Sequence, residues 1–109
     1  MRTIKSKQDF EQVFTQGSRF NHPLVRMIVC ISQGGGKDGR VAFAAPKRIG
    51  NAVARNRSKR VLREAARRLD YPLQGYDIIL FATPKTRNAS PSEMASALLS
   101  LMKRAGLDG

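Results

Sequence analysis

The sequence predicts an α+β fold, a two-layer sandwich of one sheet with its helices largely on one face. Three observations carry that prediction. Short runs with strand character flank a long segment of helical periodicity on both sides. Helix-start signals stand before two further amphipathic stretches. Hydrophobic residues make up 41% of the 109-residue chain, which suits one domain with one modest core. The expected order is helix, two or three strands, helix, strand, helix, within a single domain spanning residues 1–109.

The first helix is expected from Lys7 to Gln16. Ser6 can cap it, Asp9 stands three residues on, and Gly17 can end it. Phe10, Val13 and Phe14 share one face at i, i+3, i+4. Leu24 to Ile31 has strand alternation. Val25, Met27, Val29 and Ile31 suit a core, while Arg26, Ile28 and Cys30 fall on the other face. Arg26 among small apolar residues marks that second face as partly open. Gln33 to Gly39 is a glycine-rich turn region, and Arg40 to Ala45 is a second strand. The two strands together resemble a hairpin with a long loop.

Pro46 to Gly50 connects to a helix expected from Asn51 to Leu69. Tyr71-Pro72 and Gly75 punctuate its end. Asp77 to Thr83 is the most apolar run and suits a central strand. Pro84 to Ala89 is a loop carrying Lys85 and Arg87. Ser90-Pro91-Ser92-Glu93 then opens the last helix, with a Ser cap, Pro at the first position and Glu closing the box. Met94, Ala97, Leu98, Leu101 and Met102 form its inner face, and Gly106 ends it.

The formal net charge is +12. A chain this basic repels itself when compact, so the charge calls for a polyanionic partner. From Pro46 to Leu69 nine residues are Lys or Arg, against one acid, Glu64. At about 100° per residue, Ala54, Ser58, Val61, Leu62, Ala65 and Leu69 converge on one side of a helix. Asn56, Lys59, Arg60, Arg63 and Arg67 converge on the other, flanked by Arg55 and Arg57. Like charges at i, i+4 destabilise an isolated helix, and phosphates would reverse that cost. Arginine offers a planar fork for phosphate and a face for stacking. This periodicity does not choose between DNA, RNA and acidic lipid.

The stretch Lys47-Arg48-Ile49-Gly50-Asn51-Ala52-Val53-Ala54-Arg55-Asn56-Arg57-Ser58-Lys59-Arg60-Val61-Leu62-Arg63-Glu64 closely resembles the signature of the protein subunit of bacterial ribonuclease P. Its Arg-Asn-Arg core is preceded by Lys-Arg-x-Gly-Asn-Ala-Val and followed by Lys-Arg and Arg-Glu, all at the family spacing. Asp9-Phe10, Val13-Phe14 and Gly17 resemble that family's first helix, and Asp77 to Ala82 its late strand. The resemblance implies a ribosomal protein S5 domain 2-like fold with a left-handed βαβ crossover.

The resemblance also implies a function. A large RNA subunit would carry the chemistry, using Mg²⁺ to remove the 5′ leader of precursor tRNA. This protein would bind that catalytic RNA through Arg55, Asn56, Arg57, Lys59, Arg60, Arg63 and Arg67, supported by Lys47, Arg48 and Asn51. The precursor-tRNA leader would cross a cleft between the first helix and the open sheet face, at Phe10, Phe14 and Arg26. Phe10 and Phe14 either stack on single-stranded bases or fill the core. The chain departs from the family in several places. It offers Met27 and Ile28 where an aromatic is common in the first long strand. Pro46 stands where Ser is common. Thr83 stands where a basic residue is frequent, with Lys85 and Arg87 as substitutes.

A protein-borne nuclease needs carboxylates or histidines at ligand or proton-transfer spacing. The eight acids are scattered, and His22, the one histidine, falls beside Pro23 in an expected surface loop. No catalytic or metal-holding residue is therefore expected in the protein itself. Cys30 is the single cysteine and is expected to be a buried small hydrophobe. No segment has the apolar length of a membrane span, which leads to an expectation of a cytoplasmic protein with no membrane contact and no obligate protein partner. Two other readings compete. A structural RNA-binding protein, such as a ribosomal one, fits the composition. A membrane-surface helix needs larger apolar residues than the Ala and Ser of this inner face.

Overall fold

The computed structural model describes residues 2–32, 39–71 and 73–107. Its elements are α1 (Lys7–Gln16), β1 (Ser18–His22), β2 (Val25–Ile31), β3 (Arg40–Ala44), α2 (Ala52–Arg68), β4 (Tyr76–Ala82) and α3 (Pro91–Ala105). Short 3₁₀ turns cover Lys47–Ile49 and Thr86–Asn88. The helix ends follow local chemistry. The Ser6 hydroxyl accepts from the Asp9 N–H, and the Asn51 amide oxygen from the Ala54 N–H. Ser90 and Glu93 close a full capping box. The Ser90 backbone N–H, with its hydroxyl, holds the Glu93 carboxyl below its ordinary range.

The third strand allowed for by the sequence is β1. It forms a tight hairpin with β2, in which His22 pairs with Val25. His22 is a half-buried strand-end residue and not a loop residue. Its Nδ1 accepts the Leu24 N–H at 3.0 Å, so it shapes the turn.

The hairpin expected between the strands at 24–31 and 40–45 does not form. Sheet order is β1-β2-β4-β3, so β4 lies between them. It pairs antiparallel with β2 and parallel with β3. The parallel pair requires a crossover, and α2 supplies it. Of the glycine-rich turn region, Gln33 to Asp38 lie outside the described residues. Gly39 is buried where a Cβ would overlap the carbonyl oxygens of Leu73 and Tyr76. The outer edge of β3 is covered by the N-terminal segment, through Ile4 N–H to Val41 O at 3.1 Å and Val41 N–H to Arg2 O at 3.1 Å.

The sheet has a core on each face. Ile78, Leu80 and Ala82 of β4, with Val25, Met27 and Val41, pack against Leu62, Ala65 and Ala66 of α2 and the inner face of α3. Ile79, Ile28 and Ala42 pack against Val13 of α1, with Phe10, Phe14 and Phe81 at the margin. Two helices therefore lie on one face and one short helix on the other. Val25, Met27 and Val29 share one face of β2 and Ile28 and Cys30 the other, as the alternation predicts, and α1 covers the second face except at the exposed Arg26. Ile28 is buried beneath α1, and Cys30 beside it is half-buried. Ile31, expected in the core, is 75% exposed at the end of β2, at an open surface shared with Tyr76 and the C-terminal end of α3.

One ionic link ties α1 to the sheet. The buried Asp77 carboxylate accepts from the Arg40 N–H at 3.1 Å and from its guanidinium at 2.9 Å. The same guanidinium reaches Asp9 of α1 at 2.8 Å. The hydrogen bond to Asp77, then that to Asp9, raises the Arg40 pKa well above its ordinary value. Removing the Arg40 side chain would leave the buried Asp77 charge without its cationic partner. Arg40→Met is expected to cost on the order of 3 kcal/mol in urea unfolding. Asp9→Asn, which breaks the exposed half of the link, is expected to cost below about 1 kcal/mol.

Candidate nucleic-acid interface

Helix α2 is held by a narrow seam. Ala54, Ser58, Leu62, Ala65 and Ala66 are buried along it. Ala66 was not assigned to the seam from periodicity, while Val61 and Leu69, which were, are half-buried at its margins. Ser58 is fully buried and still satisfied, since its Oγ donates to the Ala54 carbonyl at 2.9 Å. On the opposite side Asn56, Arg57, Arg60, Arg63 and Arg67 are exposed and Lys59 is half-exposed. The cationic face expected from the sequence is thus present on a rigid, seam-packed rod.

Its members are not equivalent. Arg55 is half-buried, and its Nε donates to the Ala45 carbonyl at 2.9 Å, tying the helix to the end of β3. Arg57 donates from Nε to the Arg87 carbonyl at 3.2 Å. The Arg63 guanidinium lies 5.4 Å from the centre of the Phe43 ring. Asn51 spends its side-chain oxygen on the helix cap. Lys47 and Arg48 are exposed on the 3₁₀ turn ahead of the helix, anchored by the buried Ile49.

A second surface lies on the other face of the sheet. A cleft of about 250 Å³ is lined by Phe14, Phe81, Pro46 and three cations, Arg19, Arg26 and Arg48, with no acid among its lining residues. Phe81 organises the aromatics. Its ring centre is 6.1 Å from that of Phe10, edge to face, and 5.8 Å from that of Phe14. The sequence named Phe10 and Phe14 and found no third aromatic on the first long strand. The third comes from β4 instead, where Phe81 shares a face with Asp77 and Ile79. Both named rings are half-buried, so each combines core packing with an accessible edge. No local sequence pattern marks Arg19. Its guanidinium lies 4.5 Å from the centre of the Phe14 ring and donates to the Phe14 carbonyl at 3.1 Å. Arg26 is exposed and held by Asn21 through Nε at 3.3 Å. Arg48, grouped by sequence with the helix surface, lines this cleft and so links the two surfaces.

The Thr83 departure is a structural clasp. Thr83 Oγ1 donates to the Pro23 carbonyl and Thr86 Oγ1 to the Leu24 carbonyl, both at 2.7 Å. This fixes the following turn so that Arg87 stands beside Arg57.

A single-sheet α+β domain with a rigid cationic helix face and an aromatic, cation-lined cleft defines a nucleic-acid-binding class of protein. The ribonuclease P family model matches residues 1–106. Over 107 residues the chain is 39% identical to the ribonuclease P protein component of Symbiobacterium thermophilum, covering 95% of this chain and 90% of that one. Over 106 residues it is 29% identical to the component from Clostridium botulinum strain Loch Maree, covering 95% and 94%. The ribonuclease P protein of Staphylococcus aureus superposes with a TM-score of 0.82 at 23% identity, over 100% of this chain and 99% of the other. The Thermotoga maritima protein gives 0.79 at 23% identity, over 95% and 97%. The chain belongs to the ribonuclease P protein component family.

The geometry separates arginines that hold the fold from those that face outward. Arg55→Ala is expected to lower stability by about 1 kcal/mol or more through the lost bond to Ala45. Arg60→Ala is expected to change it by less than about 0.5 kcal/mol. Thermal melts of the two variants check the contrast.

Proposed function

We propose that this protein docks on the catalytic RNA of ribonuclease P through the outer face of α2 and grips the 5′ leader of precursor tRNA in the Phe14–Phe81 cleft. Family membership supports the setting. The single observation that carries the division of labour is that two cationic surfaces occupy different faces of the molecule and meet at Arg48. One is a straight row of guanidinium and ammonium groups, suited to the phosphates of a folded RNA. The other combines ring edges with Arg19, Arg26 and Arg48, suited to a flexible single strand of varied sequence.

In this reading the RNA performs the cleavage in the cytoplasm with Mg²⁺ held mainly by its own phosphates. Three of the protein's eight acids have structural roles: Asp77 and Asp9 bind Arg40, and Glu93 closes the α3 cap. The protein's contribution is electrostatic. By neutralising phosphates it lowers the Mg²⁺ concentration at which the RNA folds and holds its substrate. The cleft adds affinity for precursor over mature tRNA, because only the precursor carries a leader. The competing membrane reading has less support, since the buried side of α2 is largely Ala and Ser, and no helix among the described residues is long and apolar enough to cross a membrane.

Reconstitution with bacterial ribonuclease P RNA at low Mg²⁺ is the deciding experiment. The protein is expected to restore leader removal that the RNA alone does not sustain; equal rates with and without protein would refute the reading. Phe14→Leu is expected to weaken binding of leader-bearing precursor by about 1 kcal/mol or more. Binding of mature tRNA should be unchanged. Equal losses for the two ligands would assign Phe14 to core packing.

A further inference from the structure

Between the first turn of α2 and the turn Thr86–Asn88 lies a wide, open cleft of about 510 Å³, lined by Asn51, Val53, Ala54, Arg57, Arg87 and Asn88. Neither the cationic row nor the aromatic cleft accounts for it. Val53 is 76% exposed, a branched apolar side chain set among cations. Arg57 and Arg87 flank it, and no acid lines the cleft. Arg57 is fixed by its Nε bond to the Arg87 carbonyl. Its two Nη groups have no hydrogen-bond partner recorded among the described residues. The cleft's far wall is rigid, because the Thr83–Thr86 clasp binds it to the β1–β2 turn through two 2.7 Å bonds. Asn88 adds an exposed amide with both donor and acceptor capacity.

These groups match an unstacked nucleotide. An exposed alkyl surface takes the face of a base, two guanidinium groups take the flanking phosphates, and an amide can read a base edge. A continuous duplex presents phosphates, 2′-hydroxyls and base edges but no unstacked base face, and would leave Val53 without a role. We propose that this cleft receives one unpaired nucleotide of the catalytic RNA, extending the docking surface from α2 onto the β4–α3 loop. The proposal rests on the reading of α2 as the RNA-docking face. Arg57 serves both surfaces, which places the nucleotide directly beside the segment that contacts Arg60.

The test compares catalytic-RNA affinity over a range of KCl for the full-length protein and the variants Val53→Ser, Arg87→Ala and Arg60→Ala. All three positions are exposed, so each variant should fold as the parent does. Val53→Ser is expected to weaken binding several-fold with an unchanged salt slope, since the lost contact is uncharged. Arg87→Ala is expected to weaken binding and reduce the slope by about one. A base-modifying probe should find one unpaired RNA nucleotide protected by the parent protein and reactive in the Val53→Ser complex. Unchanged affinity and protection for Val53→Ser, with Arg60→Ala weakened, would overturn the nucleotide site and leave the docking face standing. Unchanged affinity for all three variants would overturn both.

Discussion

The seam beneath α2 is the constraint on which the rest depends. The helix carries like-charged neighbours at Arg55–Lys59, Lys59–Arg63 and Arg63–Arg67, which together cost about 1 kcal/mol in an isolated helix. Full burial of Leu62 alone contributes about 2 kcal/mol. Ala54, Ser58, Ala65 and Ala66 add little area each, but their small size brings the backbone close to α3 and the sheet. Packing therefore outweighs repulsion, and the outward charges are held in a fixed row. A helix stabilised by its own surface pairs would have spent those charges internally.

Tethers from elsewhere in the fold complete that presentation. Arg55 binds the end of β3 and Arg57 binds the β4–α3 loop. On the far side of the sheet, the Asp9–Arg40–Asp77 link keeps α1 against β3 and β4, where Phe10 and Phe14 meet Phe81. The two surfaces are thus built from one sheet and joined through the turn bearing Arg48.

Much of this was legible in the sequence where the determining interaction is local. The caps at Ser6 and Ser90 each lie within three residues of the groups they satisfy, and periodicity marks the basic helix, so all three helices were placed to within a residue or two. The cationic face followed from period alone. Strand partners were not legible. Adjacent strands usually pair, and although its apolar character marks the run at 77–83 as a central strand, nothing local says that it would enter between the runs at 25–31 and 40–44. The burial of Ile28 depends on where α1 lands, and so does the role of Phe81, which meets Phe10 and Phe14 of that helix. Arg19, Arg55 and Arg40 take partners fixed only by tertiary structure. Arg48 was grouped with its sequence neighbours, while the turn carries it to the opposite face.

The central position of β4 also sets an order of events during synthesis. Ile31 of β2 pairs with Tyr76, and Val25 with Ala82. At about 5–20 residues per second, β2 waits several seconds for its partner to emerge. Until then the β1–β2 hairpin and β3 expose unpaired edges, and α2 has been made without the sheet that holds it. A nascent α2 is marginal as a helix and unmistakable as a polycation. Association with RNA before β4 arrives would engage a flexible basic segment, whereas association afterwards engages a fixed row of charges. The last strand to be made is therefore what turns a flexible basic segment into a fixed row of charges.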